Sequence, residues 1–162
     1  MTLQDKLQQE LDRLLPMIAG SAAPQQLTID VGQGTLQCDL KAIDAIGCSF
    51  FNFSFSTDRL ANTAPEELKR LSEMLAAKLH YLLEPIRLIE IEDGGNLLQL
   101  RSDPPQKNEN STSYYELLAK RGGEFTLCRY DKPIGSPRSV VPANVTREVL
   151  CRLATDFVEA AK

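Results

Sequence analysis

The sequence predicts an α+β fold: an antiparallel sheet built from β-hairpins in a meander, with three helices packed on it. Two observations carry this. Gly-rich turns stand between runs of alternating apolar and polar residues, and such short loops join only antiparallel neighbours. Three segments with helical spacing lie at the start, middle and end of the chain. The element order is therefore α-βββ-α-ββββ-α. The 162 residues fit a single α+β domain over 1–162. Residues 1–19 are its N-terminal helix, either packed on the domain or extended as an arm.

In that first helix Leu3, Leu7, Leu11, Leu14 and Ile18 make one narrow apolar stripe. Thr2 and Asp5 have capping-box spacing, and Pro16 is expected to stop or kink the helix. The stripe suits the domain's own sheet, with a second copy as the alternative. Gly20-Ser21-Ala22-Ala23-Pro24 reads as a connector.

Leu27, Ile29 and Val31 alternate with polar residues, as do Leu36, Cys38 and Leu40 beyond Gly32-Gln33-Gly34, which predicts a hairpin. Residues 48–56 form a third strand with Phe51, Phe53 and Phe55 on one face. Thr63-Ala64-Pro65-Glu66 reads as a capping box for the middle helix, whose face is Leu68, Leu71, Leu75, Leu79 and Leu82, widened by Leu83.

Two hairpins follow. A two-residue loop at Gly94-Gly95 sets Ile91 opposite Leu98, Glu90 opposite Gln99 and Ile89 opposite Leu100. The same loop length at Gly122-Gly123 sets Arg121 opposite Glu124, Glu116 opposite Arg129 and Tyr115 opposite Tyr130. Residues 102–112 and 132–138 read as polar loops. The last helix is expected from about Asn144 to Ala160, with Val149, Leu150, Leu153 and Phe157 on one face.

The composition excludes more chemistry than it supplies. There are 18 basic and 22 acidic residues, a formal charge of −4, which argues against a nucleic-acid partner. No apolar run is long enough for a membrane span, and the N-terminus lacks a signal-peptide core, so a cytoplasmic protein is expected. Cys38, Cys48, Cys128 and Cys151 have irregular spacing, so no metal, cofactor or disulfide framework is expected. His80 is the only histidine, and no motif places a nucleophile beside it. Glu90 and Glu92 read as a solvated strand face. The Gly-rich turns match no phosphate-binding motif. Nothing designates a catalytic residue, and a non-enzyme is expected.

One charge asymmetry stands out. Residues 120–147 hold Lys120, Arg121, Arg129, Lys132, Arg138 and Arg147 against only Glu124 and Asp131. With nearby tyrosines and Arg101, this makes Arg101, Tyr115, Arg129, Tyr130, Lys132 and Arg138 the candidate anion-binding residues. The competing expectation is that these charges are spent on salt bridges, Arg129 on Glu116.

The element order resembles that of the small dimeric chaperones of bacterial type III secretion; the two extra strands before the last helix depart from it. The leading functional expectation is a non-catalytic, chaperone-like module that binds a protein or peptide segment, as a homodimer. The alternative is a small enzyme or sensor for an anionic metabolite, which requires the Arg and Tyr side chains to converge on one pocket.

Overall fold

The computed structural model describes residues 1–20 and 23–162. Ser21 and Ala22 of the expected connector lie outside the described residues. Helix α1 spans Leu3–Ala19. Strands β1 (Gln25–Asp30), β2 (Thr35–Ile43) and β3 (Gly47–Ser56) follow, then α2 (Pro65–Lys78). Strands β4 (Ile86–Glu92), β5 (Leu97–Ser102), β6 (Gln106–Lys107), β7 (Ser111–Lys120) and β8 (Glu124–Pro133) come next. The chain ends with β9 (Ser139–Val141), β10 (Ala143–Thr146) and α3 (Arg147–Ala160). The seven long strands and three helices have the expected order. Of the three short strands, β6 lies in a segment that reads as loop, β10 at the start of the expected last helix, and β9 in the short apolar stretch between the second loop and that helix.

All pairings in the sheet are antiparallel, in the order β1-β2-β3-β8-β7-β5-β4. Direct β3–β8 pairing ends at Phe53 opposite Leu127. Beyond it β9 pairs with β8 and β10 with β3. The stretch at Asn144 is therefore strand, and α3 starts at Arg147, capped by Thr146.

The helices lie side by side on one face of the sheet. Helix α1 packs on β1 and β2, α3 on β3, and α2 on β4, β5 and β7. The stripe Leu7, Leu11, Leu14 and Ile18 is buried, which resolves the packing of α1 in favour of its own domain. Both arms of its capping box form, at 3.0 and 3.1 Å. The helix continues through Pro16 to Ala19, so the proline does not stop it. Arg147 ties α1 down further: its guanidinium donates to Asp12 (2.8 Å), Gln8 (3.1 Å) and the Asp44 carbonyl (2.9 Å).

Four expectations change on the core side. The α2 N-cap is Ala64, and no side chain caps the helix there. Leu83 adopts a left-handed conformation (φ 67°) after a 3-10 turn and is 89% exposed, so it does not widen the leucine face. The β2–β3 register shifts between Asp39 and Leu40 and again before Ala42. This bulge re-aims the β3 side chains, so Phe50 joins Phe53 and Phe55 in the core while Phe51 is half-buried. A second bulge on β4 places Leu88, not Ile89, opposite Leu100, and Ile89 is half-exposed. The pairs Ile91–Leu98 and Glu90–Gln99 form as expected.

Candidate functional site

Among the described residues, the other face of the sheet carries no helix. Register assigns its residues row by row. One row reads Gln26, Asp39, Asn52, then Cys128, Glu116, Arg101 and Arg87 from β1 to β4; the Cys128 thiol bridges its two halves by donating to Asn52 at 3.2 Å. The next reads Thr28, Gln37, Ser54, Thr126, Leu118, Gln99 and Glu90. Period-two alternation makes this face polar because its partner face is the core.

The β7–β8 register corrects the expected one by a single residue. Lys120, not Arg121, lies opposite Glu124, and Glu116 lies opposite Cys128, not Arg129. Arg129 faces Tyr115, and Tyr130 faces Tyr114. A one-residue slip exchanges the faces of one strand relative to the other. Its cause is a long-range contact. The turn holds three residues, and the Gly123 carbonyl accepts from the Thr57 N–H at 2.8 Å. A Cβ on Gly123 would fall 1.8 Å from the Thr57 carbonyl oxygen, so only glycine fits at this positive φ.

The six candidate residues therefore divide between two faces. Tyr115 and Arg129 lie on the helix side. There Arg129 Nη1 is 3.0 Å from Glu84 Oε2, and its guanidinium sits 4.6 Å from the Tyr115 ring centre. The Ser102 hydroxyl donates to Glu84 at 2.6 Å and accepts the Tyr115 N–H at 2.8 Å. Burial pushes the Tyr115 phenol up in pKa, with the Arg129 charge opposing. These charges are spent on one another, tying the segment after α2 to the sheet.

Arg101, Tyr130, Lys132 and Arg138 belong to the open face. Arg138 arrives from the β8–β9 loop. Its guanidinium stacks 3.8 Å from the Tyr130 ring centre and donates to Glu116 (2.8 Å) and the Tyr114 hydroxyl (3.2 Å). Arg101 Nε donates to the same Glu116 oxygen at 3.0 Å, with its guanidinium 5.2 Å from the Tyr114 ring centre. The Tyr114 and Tyr130 rings are 6.0 Å apart. Glu116 is only 3% exposed, whereas each arginine side chain keeps 35% of its surface in solvent. The hydrogen bond to Glu116 raises the Arg138 pKa further, so its charge is permanent. The two loops meet here, with the Ile134 N–H donating to the Asn110 carbonyl at 2.9 Å.

Sequence reasoning missed Tyr114, Glu116 and Arg87 as members of this cluster. Tyr114 and Glu116 follow from the three-residue turn. Arg87 follows from the β4 bulge, which sets it directly opposite Arg101. Neither signal is local in sequence. The basic excess of residues 120–147 is also not one patch. Lys120 and Arg121 sit at the far hairpin end, Arg129 faces the helices, and Arg147 is buried against α1.

The other candidates lie apart from this cluster. His80 is exposed beyond α2, its ring 5.7 Å from that of Tyr81. The Tyr81 hydroxyl donates to Asp156 at 2.8 Å, and burial raises its pKa. The four cysteines are free. Burial raises Cys38 well above the ordinary thiol range, Cys48 to about 12 and Cys128 to about 11. Thiols so protonated are weak nucleophiles. Among the described residues, no group of three or more His, Cys, Asp or Glu is placed to hold a metal ion. No described helix is long and apolar enough to cross a membrane.

Comparison with protein families, with curated proteins and with solved structures found no match.

Proposed function

We propose that the protein is a non-catalytic binding module that receives a segment of another protein on the helix-free face of its sheet. The observation that supports this reading is the one-sided packing of the helices. It leaves a polar face seven strands wide, with a partly exposed Arg and Tyr cluster at one end. Arg and Tyr are the side chains that binding surfaces favour, since each offers large area and directed hydrogen bonds. A cytoplasmic setting fits four unpaired thiols.

The chaperone-like homodimer expected from sequence enters the same reading with one change. The apolar stripe of α1 is spent within the domain, so self-association requires another surface.

Site-specific photo-crosslinking tests the proposal. A photoreactive residue at Thr126, central on the open face, is expected to trap a protein partner in extracts of the source organism. The same residue at Lys69, exposed on α2, is not. An adduct of twice the chain's mass identifies a second copy as the partner. Equal trapping from both positions, or none from Thr126, overturns the reading.

A further inference from the structure

We infer that the segment received on the open face is acidic, and that Arg87, Arg101 and Lys132 bind its carboxylates; this rests on the docking reading above. Arg87 and Arg101 are direct cross-strand neighbours on that face. Like charges so placed repel by roughly 0.2–1 kcal/mol, and of the two only Arg101 has a carboxylate partner, Glu116. Arg87 has no hydrogen-bond or ion-pair partner among the described residues, and neither has Lys132, one step beyond Tyr130. Arg101 commits only Nε to Glu116, leaving both terminal nitrogens without a protein acceptor among the described residues.

Among the described residues, cations with donors still free on this face include Arg87 and Lys132, which have no partner, and Arg101 at its two terminal nitrogens. Glu116, by contrast, is already held by Arg101 and Arg138. Glu116, buried beneath the arginines, takes both terminal nitrogens of Arg138 (2.8 and 3.5 Å) but only Nε of Arg101, so it orients Arg101 and leaves that residue's outer edge open.

The width of the cluster decides between a single anion and a segment. Arg87 lies on β4 and Lys132, the other unpartnered cation, on β8, three strand spacings away. At about 4.8 Å per spacing their strands are roughly 14 Å apart, more than one carboxylate or phosphate bridges. In an extended segment, alternate side chains on one face lie about 7 Å apart, so two such steps cover this distance. The occupant is therefore an extended segment with acidic residues at alternate positions.

Calorimetric titration with a blocked peptide alternating Glu and Gly tests this. The wild-type protein is expected to bind it, to bind more weakly as salt is raised, and to ignore a Gln–Gly peptide. Arg87→Gln has no partner to disturb, and Arg101→Gln removes the adjacent charge. Each is expected to weaken binding by about threefold to fivefold, the loss expected for one partly exposed charge contact. Arg121→Gln, at the far hairpin end, leaves it unchanged. Equal affinity in the wild type and Arg87→Gln overturns the inference. Inorganic phosphate displacing the peptide at equal concentration overturns the segment in favour of a single-anion site. If Thr126 still traps a partner in either case, only the acidic assignment fails; if Thr126 traps nothing, the docking reading itself fails.

Discussion

Replacing Glu116 with Gln tests the open-face cluster at its centre. The carboxylate is 3% exposed and accepts from Arg138 at 2.8 Å and Arg101 at 3.0 Å. Hydrogen bonds to charged groups contribute about 1.5–3 kcal/mol each. Gln keeps one acceptor oxygen, so only part of that is lost. It also places an amide N–H₂ against a cation. Both arginines are about one-third exposed, and water recovers some of their solvation. The net loss is then about 2 kcal/mol. With a urea slope of about 2 kcal/mol per molar, the midpoint falls by roughly 1 M. The control is Glu124→Gln, whose exposed carboxylate lies 3.6 Å from Lys120. Exposed pairs contribute at most about 1 kcal/mol, so its midpoint moves little. Urea unfolding followed by circular dichroism reads both. If Glu116→Gln costs no more than Glu124→Gln, the two arginines are not held by this carboxylate.

Three further predictions probe the corrections to the sequence reading. Phe50→Ala should cost about 3–5 kcal/mol and Phe51→Ala clearly less, because the bulge buries Phe50; equal costs in urea unfolding would show that the bulge is misplaced. Thr2→Ala should lose about 1 kcal/mol with its capping box, whereas Thr63→Ala should be near neutral because Ala64 is the cap; the reverse ranking of melting temperatures would refute both assignments. Burial raises the folded Cys48 thiol from 9.0 to about 12, so above pH 9 the unfolded chain loses this proton first. Stability should therefore fall as pH rises from 9 towards 12, with a shallower fall in Cys48→Ala; identical slopes would contradict the burial.

Much of the fold was legible because its signals are local. The β1–β2 hairpin shows in strict alternation, and α1 in a four-three stripe with a capping box. The expected pairs Ile91–Leu98 and Glu90–Gln99 form because they lie beside their own turn. The site was less legible because its membership depends on register far from any local signal. The three-residue turn at Arg121–Gly123 is set by Thr57, more than sixty residues earlier. That contact parts Glu116 from Arg129 and sends Arg129 to Glu84. The β4 bulge likewise brings Arg87 to Arg101. Composition showed a basic excess around residues 120–147, but only register separates the arginines spent on packing from those facing solvent.

The most direct test of the account is a spectroscopic map of the bound state. An acidic peptide with a spin label at one end is added to the isotopically labelled protein, and side-chain resonances are followed by NMR. Broadening is predicted for the side chains of Gln99, Leu118 and Asn52 on the open face, with Leu11, Leu75 and Leu150 beneath the helices unaffected. Broadening centred on the helix side, with the open-face resonances unchanged, would contradict the assignment of that face as the binding surface.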